Sequence, residues 1–284
     1  MRPQNLTLAS LALLALSSGA ANAQITVRSG TGARAAALTA IRDTFRTDLG
    51  GGTTAGANGS FGGVRREINW DGVPAGFSAP SNLPANFFNV NSPRGAVFST
   101  VGAGTGFMVS GNTADAGAGQ PAAANFGNLN ATYTAEFQTF SPQRLFTSLG
   151  SNGYDVNFFV PGTNTPALVT GFGSVFADVD QAGTTAIQFF DVNNNSLGAF
   201  AASPLSGGLS FLGGFTPTPQ IARVRITMGN TVIGPTDNSG TSDIVVADDF
   251  IYGEPISATA APEPGALALT LLGLPLLKLR RRKV

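Results

Sequence analysis

From Glu67 to about Tyr252, apolar side chains recur at alternate positions, the spacing that places them on one face of a β-strand. The clearest instance is residues 221–228, where every second residue is apolar and Arg223 and Arg225 fall between them. Similar runs that we also predict to be strands are 96–100, 131–140, 156–160, 174–179, 186–192, 209–211 and 244–252. Because the runs are short and separated by turn residues, they predict a mainly β chain folded as a β-sandwich or jelly roll.

Turn-forming residues and phenylalanines support this prediction. The clusters 162–164 and 193–198 are rich in Gly, Asn, Ser and Thr, which favour tight turns between strands. Ten of the 21 phenylalanines lie in the predicted strands, where they would fill the space between two sheets. The chain has no repeat of fixed period, so we predict one domain over residues 24–253, followed by a linker over 254–261.

The first part of this domain has a different pattern. Residues 24–31 predict a short strand, whereas residues 33–49 carry apolar side chains at spacings of three and four. Leu38, Ile41, Phe45 and Leu49 therefore share one face of an amphipathic helix. Three successive glycines, residues 50–52, end that helix, so the sequence predicts one N-terminal helix beside the sheets.

The N-terminal end is typical of a cleavable export signal. A mostly apolar run over residues 6–16 is followed by Ala21-Asn22-Ala23, a small-x-small cleavage site. A first core helix is the alternative, but no charged residue interrupts the run to give it a solvent-facing side. We therefore predict a signal peptide over residues 1–23 and a mature protein that begins at Gln24.

The C-terminal end combines three features in a fixed order. Pro262, Glu263 and Pro264 are followed by an apolar stretch, residues 265–277, and then by a basic cluster that includes Arg280, Arg281 and Arg282. A helix over the apolar stretch would be roughly 20 Å long, which is short for a ~30 Å hydrocarbon core. Basic residues favour the cytoplasmic side of a membrane, so the pattern predicts a short C-terminal membrane helix used as a sorting anchor.

This tail resembles the PEP-CTERM sorting signal of Gram-negative bacteria. The resemblance rests on Pro262-Glu263-Pro264, the leucine-rich stretch and the terminal arginines, within residues 262–284. It implies recognition and cleavage by an exosortase, a membrane-embedded cysteine protease, and delivery to the envelope or the extracellular matrix. The main domain also resembles a group of uncharacterised exported proteins that often carry this tail, on motifs such as 66–72, 86–89, 92–95 and 248–250. That second resemblance implies no activity.

Charge and missing residue types exclude several classes of function. Six of the 16 basic residues and one of the 16 acidic residues lie in the two ends. The domain therefore has ten basic and fifteen acidic residues and a net charge of −5. It contains no lysine, which argues against nucleic acid as a partner, and we expect its one basic pair, Arg65-Arg66, to be solvated. The chain has no Cys and no His, which excludes disulfides, Ser-His-Asp and Cys-His catalysis, and zinc sites built on those residues.

Hard cations remain compatible with this composition, and a set of aspartates suggests where one would bind. The candidate calcium ligands are Asp178, Asp180, Asp191, Asp248 and Asp249. In an alternating strand over residues 244–252, Asp248 would share a face with Val246, Phe250 and Tyr252 and would be partly buried. The alternatives to calcium are pairing of Asp248 with Arg223 or Arg225, or hydrogen bonds from a turn to Asp248.

Two other segments have a functional interpretation beside a structural one. Glu67 near Trp70 and Asp71 would suit carboxylate catalysis on a sugar, although Trp70 is more simply a core or lid residue. The glycine-rich residues 102–106 precede a strand pattern rather than a helix, so we interpret them as a turn and not as a dinucleotide loop.

These observations favour an exported, non-enzymatic adhesion or glycan-contact module of the cell envelope or extracellular matrix. Its expected partners are the export machinery, an exosortase-type protease, the membrane through the tail, and extracellular polysaccharide. The alternatives are a secreted carboxylate-dependent hydrolase and a purely structural matrix component.

Overall fold

The computed structural model describes residues 24–112, 124–236 and 240–259, and in these ranges the alternating segments form antiparallel sheets. The strands are β1 (Thr26–Gly32), β2 (Ser60–Phe61), β3 (Arg65–Ile68), β4 (Ala96–Thr100), β5 (Gly106–Val109), β6 (Phe146–Leu149), β7 (Gly153–Phe158), β8 (Ala167–Leu168), β9 (Gly171–Val179), β10 (Ala186–Phe190), β11 (Ser196–Ala201), β12 (Leu205–Phe215), β13 (Arg223–Thr227), β14 (Val246–Gly253) and β15 (Ile256–Ser257). The helices are α1 (Ala35–Asp48), α2 (Phe87–Val90) and α3 (Tyr133–Glu136), with single 3-10 turns at Ala57–Gly59 and Ala75–Phe77.

Two sheets make up the body of the domain. The larger sheet has eight strands in the order β1-β12-β9-β14-β3-β2, with β6 paired to β14 and β5 paired to β6. The smaller sheet has five strands in the order β11-β10-β13-β7-β4. A two-stranded ribbon, β15-β8, completes the described strands.

An aromatic core lies between the larger and the smaller sheet. Phe172 and Phe250 of the larger sheet belong to the same buried cluster as Phe98 and Val224 of the smaller one. The rings of Phe98 and Phe250 lie 6.3 Å apart, and Trp70 stacks on Phe146 at 4.3 Å. The predicted mainly β fold is confirmed, and its two face-to-face sheets form a β-sandwich.

The larger sheet is also covered on its other face. All nine residues of β9 are buried, because its alternate side chains enter two separate clusters. The second cluster includes Leu38 and Phe45 of α1, together with side chains of residues 126–145. Gly213 makes this packing possible, since a Cβ there would lie 2.8 Å from the ring of Phe45. The smaller sheet, in contrast, is buried on one face only.

Most of the predicted elements coincide with observed ones. The helix predicted over residues 33–49 is α1, and it ends before Gly50, which has a φ of +103°. The strand runs predicted from alternation each overlap an observed strand, with residues 131–140 as the exception. Residues 102–105 lie in the turn between β4 and β5, as expected, and Gly106 is the first residue of β5.

The strand predicted over residues 131–140 is wrong. Tyr133–Glu136 is a short helix, α3, and the chain after it is irregular. Tyr133 and Phe137 are four residues apart, so one helical turn brings their rings together at 4.9 Å. The same two aromatic positions also satisfy a period of two, which is why the pattern was ambiguous.

The linker expected after Gly253 is instead part of the fold. Glu254 makes an ion pair with Arg66 at 2.7 Å, and Ile256–Ser257 pairs with Ala167–Leu168 as the ribbon β15-β8. Within the described ranges, no helix is long and apolar enough to cross a membrane. The predicted signal peptide, residues 1–23, and the predicted sorting tail, residues 262–284, lie outside the described residues.

Candidate functional site

Two adjacent aspartates, Asp248 and Asp249, are buried in the middle of β14, with 0% and 5% of their surface exposed. The pairing of β14 with β9 shifts register between Ala247 and Phe250, so the two aspartates lie in a β-bulge. The bulge turns both carboxyl groups toward Ser141, whose hydroxyl donates to Asp249 Oδ1 at 2.6 Å. A buried pair of carboxyl groups is therefore held beside one hydroxyl.

Asp248 also anchors the irregular segment that follows α3. The backbone N–H groups of Phe140 and Ser141 donate to Asp248 Oδ2 at 2.6 and 3.2 Å. The N–H of Asp249 donates to the other oxygen, Oδ1, at 2.8 Å. These three bonds replace the water that a buried carboxyl group loses, and they fix the segment against the larger sheet.

Burial and proximity perturb the ionisation of this pair. Burial raises the pKa of Asp248 well above its usual range, and the neighbouring charge of Asp249 raises it further. The pKa of Asp249 is also raised, first by burial, while the hydroxyl of Ser141 opposes the shift. Because two adjacent carboxylates repel each other in a buried site, ionisation of one member of the pair opposes ionisation of the other.

Two expectations about Asp248 are wrong. The three residues predicted to share its face do not lie on one side of the sheet, because the bulge leaves Val246 on the α1 side and places Phe250 and Tyr252 on the inter-sheet side. Arg223 and Arg225 do not pair with Asp248 either, since both bind a different carboxylate on the smaller sheet. The remaining alternative, hydrogen bonds from irregular backbone, describes Asp248 correctly.

The other predicted calcium ligands lie in separate places. Asp178 Oδ1 accepts the N–H of Gly207 at 2.6 Å, and Asp180 follows the end of β9. Asp191 caps its own turn, accepting the N–H groups of residues 193 and 195. In the described part of the chain, no three acidic residues form a group that could hold a metal ion, so the predicted five-aspartate site is not assembled.

Asp243 has a structural role that the sequence did not reveal. It is fully buried and accepts the N–H of Asp180 at 3.1 Å and the hydroxyl of Thr184. Its own backbone carbonyl accepts the N–H groups of Asn230 and Thr231 at 3.0 and 3.1 Å. Asp243 thus joins two turns. Only its position next to the apolar run 244–252 hinted that it would be buried.

Glu67, Trp70 and Asp71 all make structural contacts within the domain. Glu67 binds Arg46 through two bonds of 2.6 Å and also pairs with Arg65. Trp70 is 1% exposed and lies in the aromatic core, so its expected role as a core residue is confirmed. Asp71 Oδ1 accepts the N–H of Gln143 at 2.6 Å, and burial raises the pKa of Asp71.

The expectation that Arg65 and Arg66 form a solvated pair is wrong. Arg65 is 2% exposed and donates to the carbonyl oxygens of Gly51 and Gly52 at 2.8 and 2.9 Å. Arg66 donates to Glu254 Oε1 at 2.8 Å. Since successive residues of a strand point to opposite sides, the two arginines tie β3 to different parts of the chain.

The outer face of the smaller sheet carries partly exposed side chains on several neighbouring strands. Buried and partly exposed residues alternate along β13 and for most of β10, with the core side chains on the inner face. The outer face carries two rows of side chains that the register aligns, Val97-Asn157-Arg223-Phe190-Ser196 and Ser99-Asp155-Arg225-Gln188-Ala199. Seven of these ten side chains are polar, and this surface is called the outer face below.

Ion pairs and an aromatic contact organise the centre of the outer face. Asp155 accepts from Arg225 Nε at 2.8 Å and lies 3.0 Å from Arg223 Nη1. The guanidinium of Arg223 sits 3.7 Å from the ring centroid of Phe190, and the amide of Asn157 donates to Ser99 Oγ at 2.8 Å. Planar polar groups are thus held in fixed orientations, with Arg225 the more exposed arginine.

Comparisons with known proteins leave the family open. No protein-family model matches the chain, and no curated protein gives a significant match. Among solved structures, the chain is similar to the enzymatically active domain of tailspike protein 4 from bacteriophage CBA120, with 13% identity and a TM-score of 0.26. That match covers 65% of this chain and 22% of the tailspike chain. A TM-score this low carries no argument about fold or activity.

Proposed function

We propose that this chain is an exported module of the cell envelope or extracellular matrix that contacts polysaccharide through the outer face. The proposal combines two features, the signal-like ends of the sequence and the uncovered polar surface of the smaller sheet. The ends indicate where the protein is delivered, and the surface supplies a place for contact. Fold resemblance contributes nothing to the proposal.

The outer face carries the proposal because its chemistry suits a sugar chain. Sugar hydroxyls both donate and accept hydrogen bonds, and so do the side chains of Asn157, Gln188 and Ser99. Arg225 adds donors that are fixed by its bonds to Asp155. A row of such groups spans several strands, which matches an extended polymer better than a small molecule that needs a deep pocket.

The bonding of the candidate catalytic carboxylates favours this function over a hydrolase. Glycoside hydrolysis uses two carboxyl groups that face each other across a sugar, about 5–10 Å apart. Glu67 is neutralised by Arg46 and Arg65, and Asp71 is bonded to backbone N–H groups. Trp70, the expected stacking platform, is inside the core. Each of these residues is committed to a structural contact.

Delivery can be tested by deleting the predicted tail, residues 262–284. We expect the truncated domain to be lost from its envelope or matrix destination while its far-ultraviolet circular dichroism stays unchanged, because the described sheets end at Ser257. Cell fractionation with immunoblotting measures the first result. A truncated protein that reaches the same fraction as the full chain would contradict the sorting role, and a loss of β signal would show that the tail belongs to the fold.

Contact with polysaccharide can be tested by replacing Asn157, Gln188 and Arg225 together with alanine. Each lost hydrogen bond is expected to cost about 1 kcal/mol, so affinity for the exopolysaccharide of the producing strain should fall at least tenfold. Affinity electrophoresis measures the change.

The matched control replaces Arg34, Thr39 and Thr44 with alanine. These residues are exposed on or beside α1, and the change removes the same single positive charge. The control should bind as the unmodified protein does. Equal losses in both variants would contradict the assignment of the outer face, and an absence of binding by the unmodified protein would favour a purely structural matrix component.

A further inference from the structure

A small cavity of about 20 Å³ lies where the segment after β3 meets the segment around α2. Trp70, Phe88, Ser92 and Arg94 contribute to its lining, and exposed Asn69 stands at its border. A space of this size holds one small solute, about the volume that a single bound water or monatomic ion needs. No aspartate or glutamate is among its lining residues.

The indole of Trp70 supplies the first indication of a ligand. Trp70 is 1% exposed, and its Nε1 has no hydrogen-bond partner among residues 24–112, 124–236 and 240–259. The ring cannot turn to find one, because it stacks on Phe146 at 4.3 Å and meets Phe250 edge-on at 4.9 Å. Trp70 also has a φ of +67°, a left-handed conformation that a bulky residue adopts only when its surroundings impose it. A buried N–H is a donor that requires an acceptor.

Arg94 supplies the second indication. Its Nε donates to Ser92 Oγ at 3.2 Å, another nitrogen donates to the carbonyl oxygen of Glu67, and its guanidinium lies 5.4 Å from the ring centroid of Phe88. In the described part of the chain Arg94 makes no ion pair, because the carboxylates nearby bind other arginines. Burial lowers the pKa of Arg94 and the neighbouring charge of Arg66 lowers it further, while Tyr252 and Glu67 oppose the shift. A partly buried cation that no carboxylate contacts directly regains little of the free energy that it loses on leaving water.

We propose that this cavity binds one small monovalent anion of halide size. An anion would accept the hydrogen bond of Trp70 Nε1 and neutralise the charge of Arg94 at the same time. A water molecule would satisfy the first requirement and leave the second unmet. A halide fits a cavity of about 20 Å³ better than the larger sulfate or phosphate does, so the proposed ligand is a monatomic anion.

The protein provides its own reporter for this site, since Trp70 is its single tryptophan. The full chain is titrated with sodium bromide at constant ionic strength, with sodium sulfate as the balancing salt. We expect saturable static quenching of Trp70 emission, because a bound heavy halide contacts the indole. Added chloride should reverse the quenching by competition. Chloride at about a hundredfold excess over Kd should also raise Tm by several degrees relative to sulfate.

Two variants separate the proposed site from general salt effects. Arg94→Met removes the charge and should abolish both the saturable quenching and the specific rise in Tm, whereas Arg225→Met, the same change on the outer face, should leave both intact. Arg94→Lys keeps the charge and should fold but bind the anion more weakly. It replaces Arg94→Met in the comparison if Arg94→Met fails to fold. Quenching that is linear in bromide, or that chloride does not reverse, would overturn the proposal and assign the cavity to water.

Discussion

Replacing Asp248 with alanine is expected to lower the free energy of unfolding by about 3 kcal/mol or more. The carboxyl group accepts the N–H groups of Phe140, Ser141 and Asp249, and alanine would leave these donors without a partner at a site that water does not reach. The segment after α3 would lose its main polar attachment to the larger sheet. Denaturant unfolding followed by circular dichroism measures the change.

The same pair of aspartates should make stability depend on pH. The folded-state pKa of Asp248 is raised by burial and by Asp249, so the folded protein keeps a proton that the unfolded chain releases above its pKa of about 4. The folded state then binds more protons than the unfolded state, and stability from this pair falls as pH rises from about 4 through the raised folded pKa. Glu67 and Arg46 are the charged groups that act on Asp249, and their effects oppose each other.

Asp248→Asn isolates this contribution. Asparagine cannot ionise and resembles the protonated side chain, so the variant should lose less stability than Asp248→Ala, and its difference from the unmodified protein should shrink as pH rises. Asp191→Asn, in a turn where the carboxylate bonds only to nearby residues, serves as the control substitution. The free energy of unfolding of both proteins is measured as a function of pH. If the two curves run parallel between pH 4 and neutrality, the raised pKa of Asp248 is contradicted.

The alternation of side chains predicted most strands because one face of the smaller sheet is exposed. In β13, Arg223 and Arg225 point outward and Val224 and Ile226 inward, so the sequence carries the pattern directly. The larger sheet is buried on both faces, and there the pattern was less informative. A β-bulge adds one residue without altering composition, so nothing in the sequence marked the reversal of faces at Asp248.

The candidate sites were harder to predict than the strands because they depend on contacts between distant parts of the chain. Asp248 meets Ser141 across 107 residues of sequence, and Arg94 approaches Trp70 through the packing of α2. Residue types alone indicated that the acidic residues needed partners. They did not indicate that Glu67 and Asp155 would form ion pairs with arginines. Nor did they indicate that Asp248 and Asp71 would accept hydrogen bonds from backbone N–H groups.

A second large effect is expected at Gly229, which follows β13. Gly229→Ala should lower the free energy of unfolding by about 3 kcal/mol or more. Gly229 has a φ of +63°, and a Cβ there would overlap the backbone carbonyl of Asp243. That carbonyl cannot move aside easily, because it accepts the N–H groups of Asn230 and Thr231. Gly229 is itself fixed, since its N–H donates to Thr185 Oγ1 at 2.9 Å.

Gly62→Ala is the matched control, because Gly62 has nearly the same φ, +64°, and a Cβ added there would meet no described atom within 4 Å. Its cost should be limited to the left-handed backbone, about 1–2 kcal/mol. The difference between the two variants therefore measures the contact with Asp243 alone. The side chain of Asp243 also accepts the N–H of Asp180. Displacing Asp243 in the Gly229 variant should therefore increase amide hydrogen exchange at residues 180–184. Equal destabilisation by the two substitutions would show that backbone conformation, and not the packing of this turn against Asp243, makes glycine necessary at position 229.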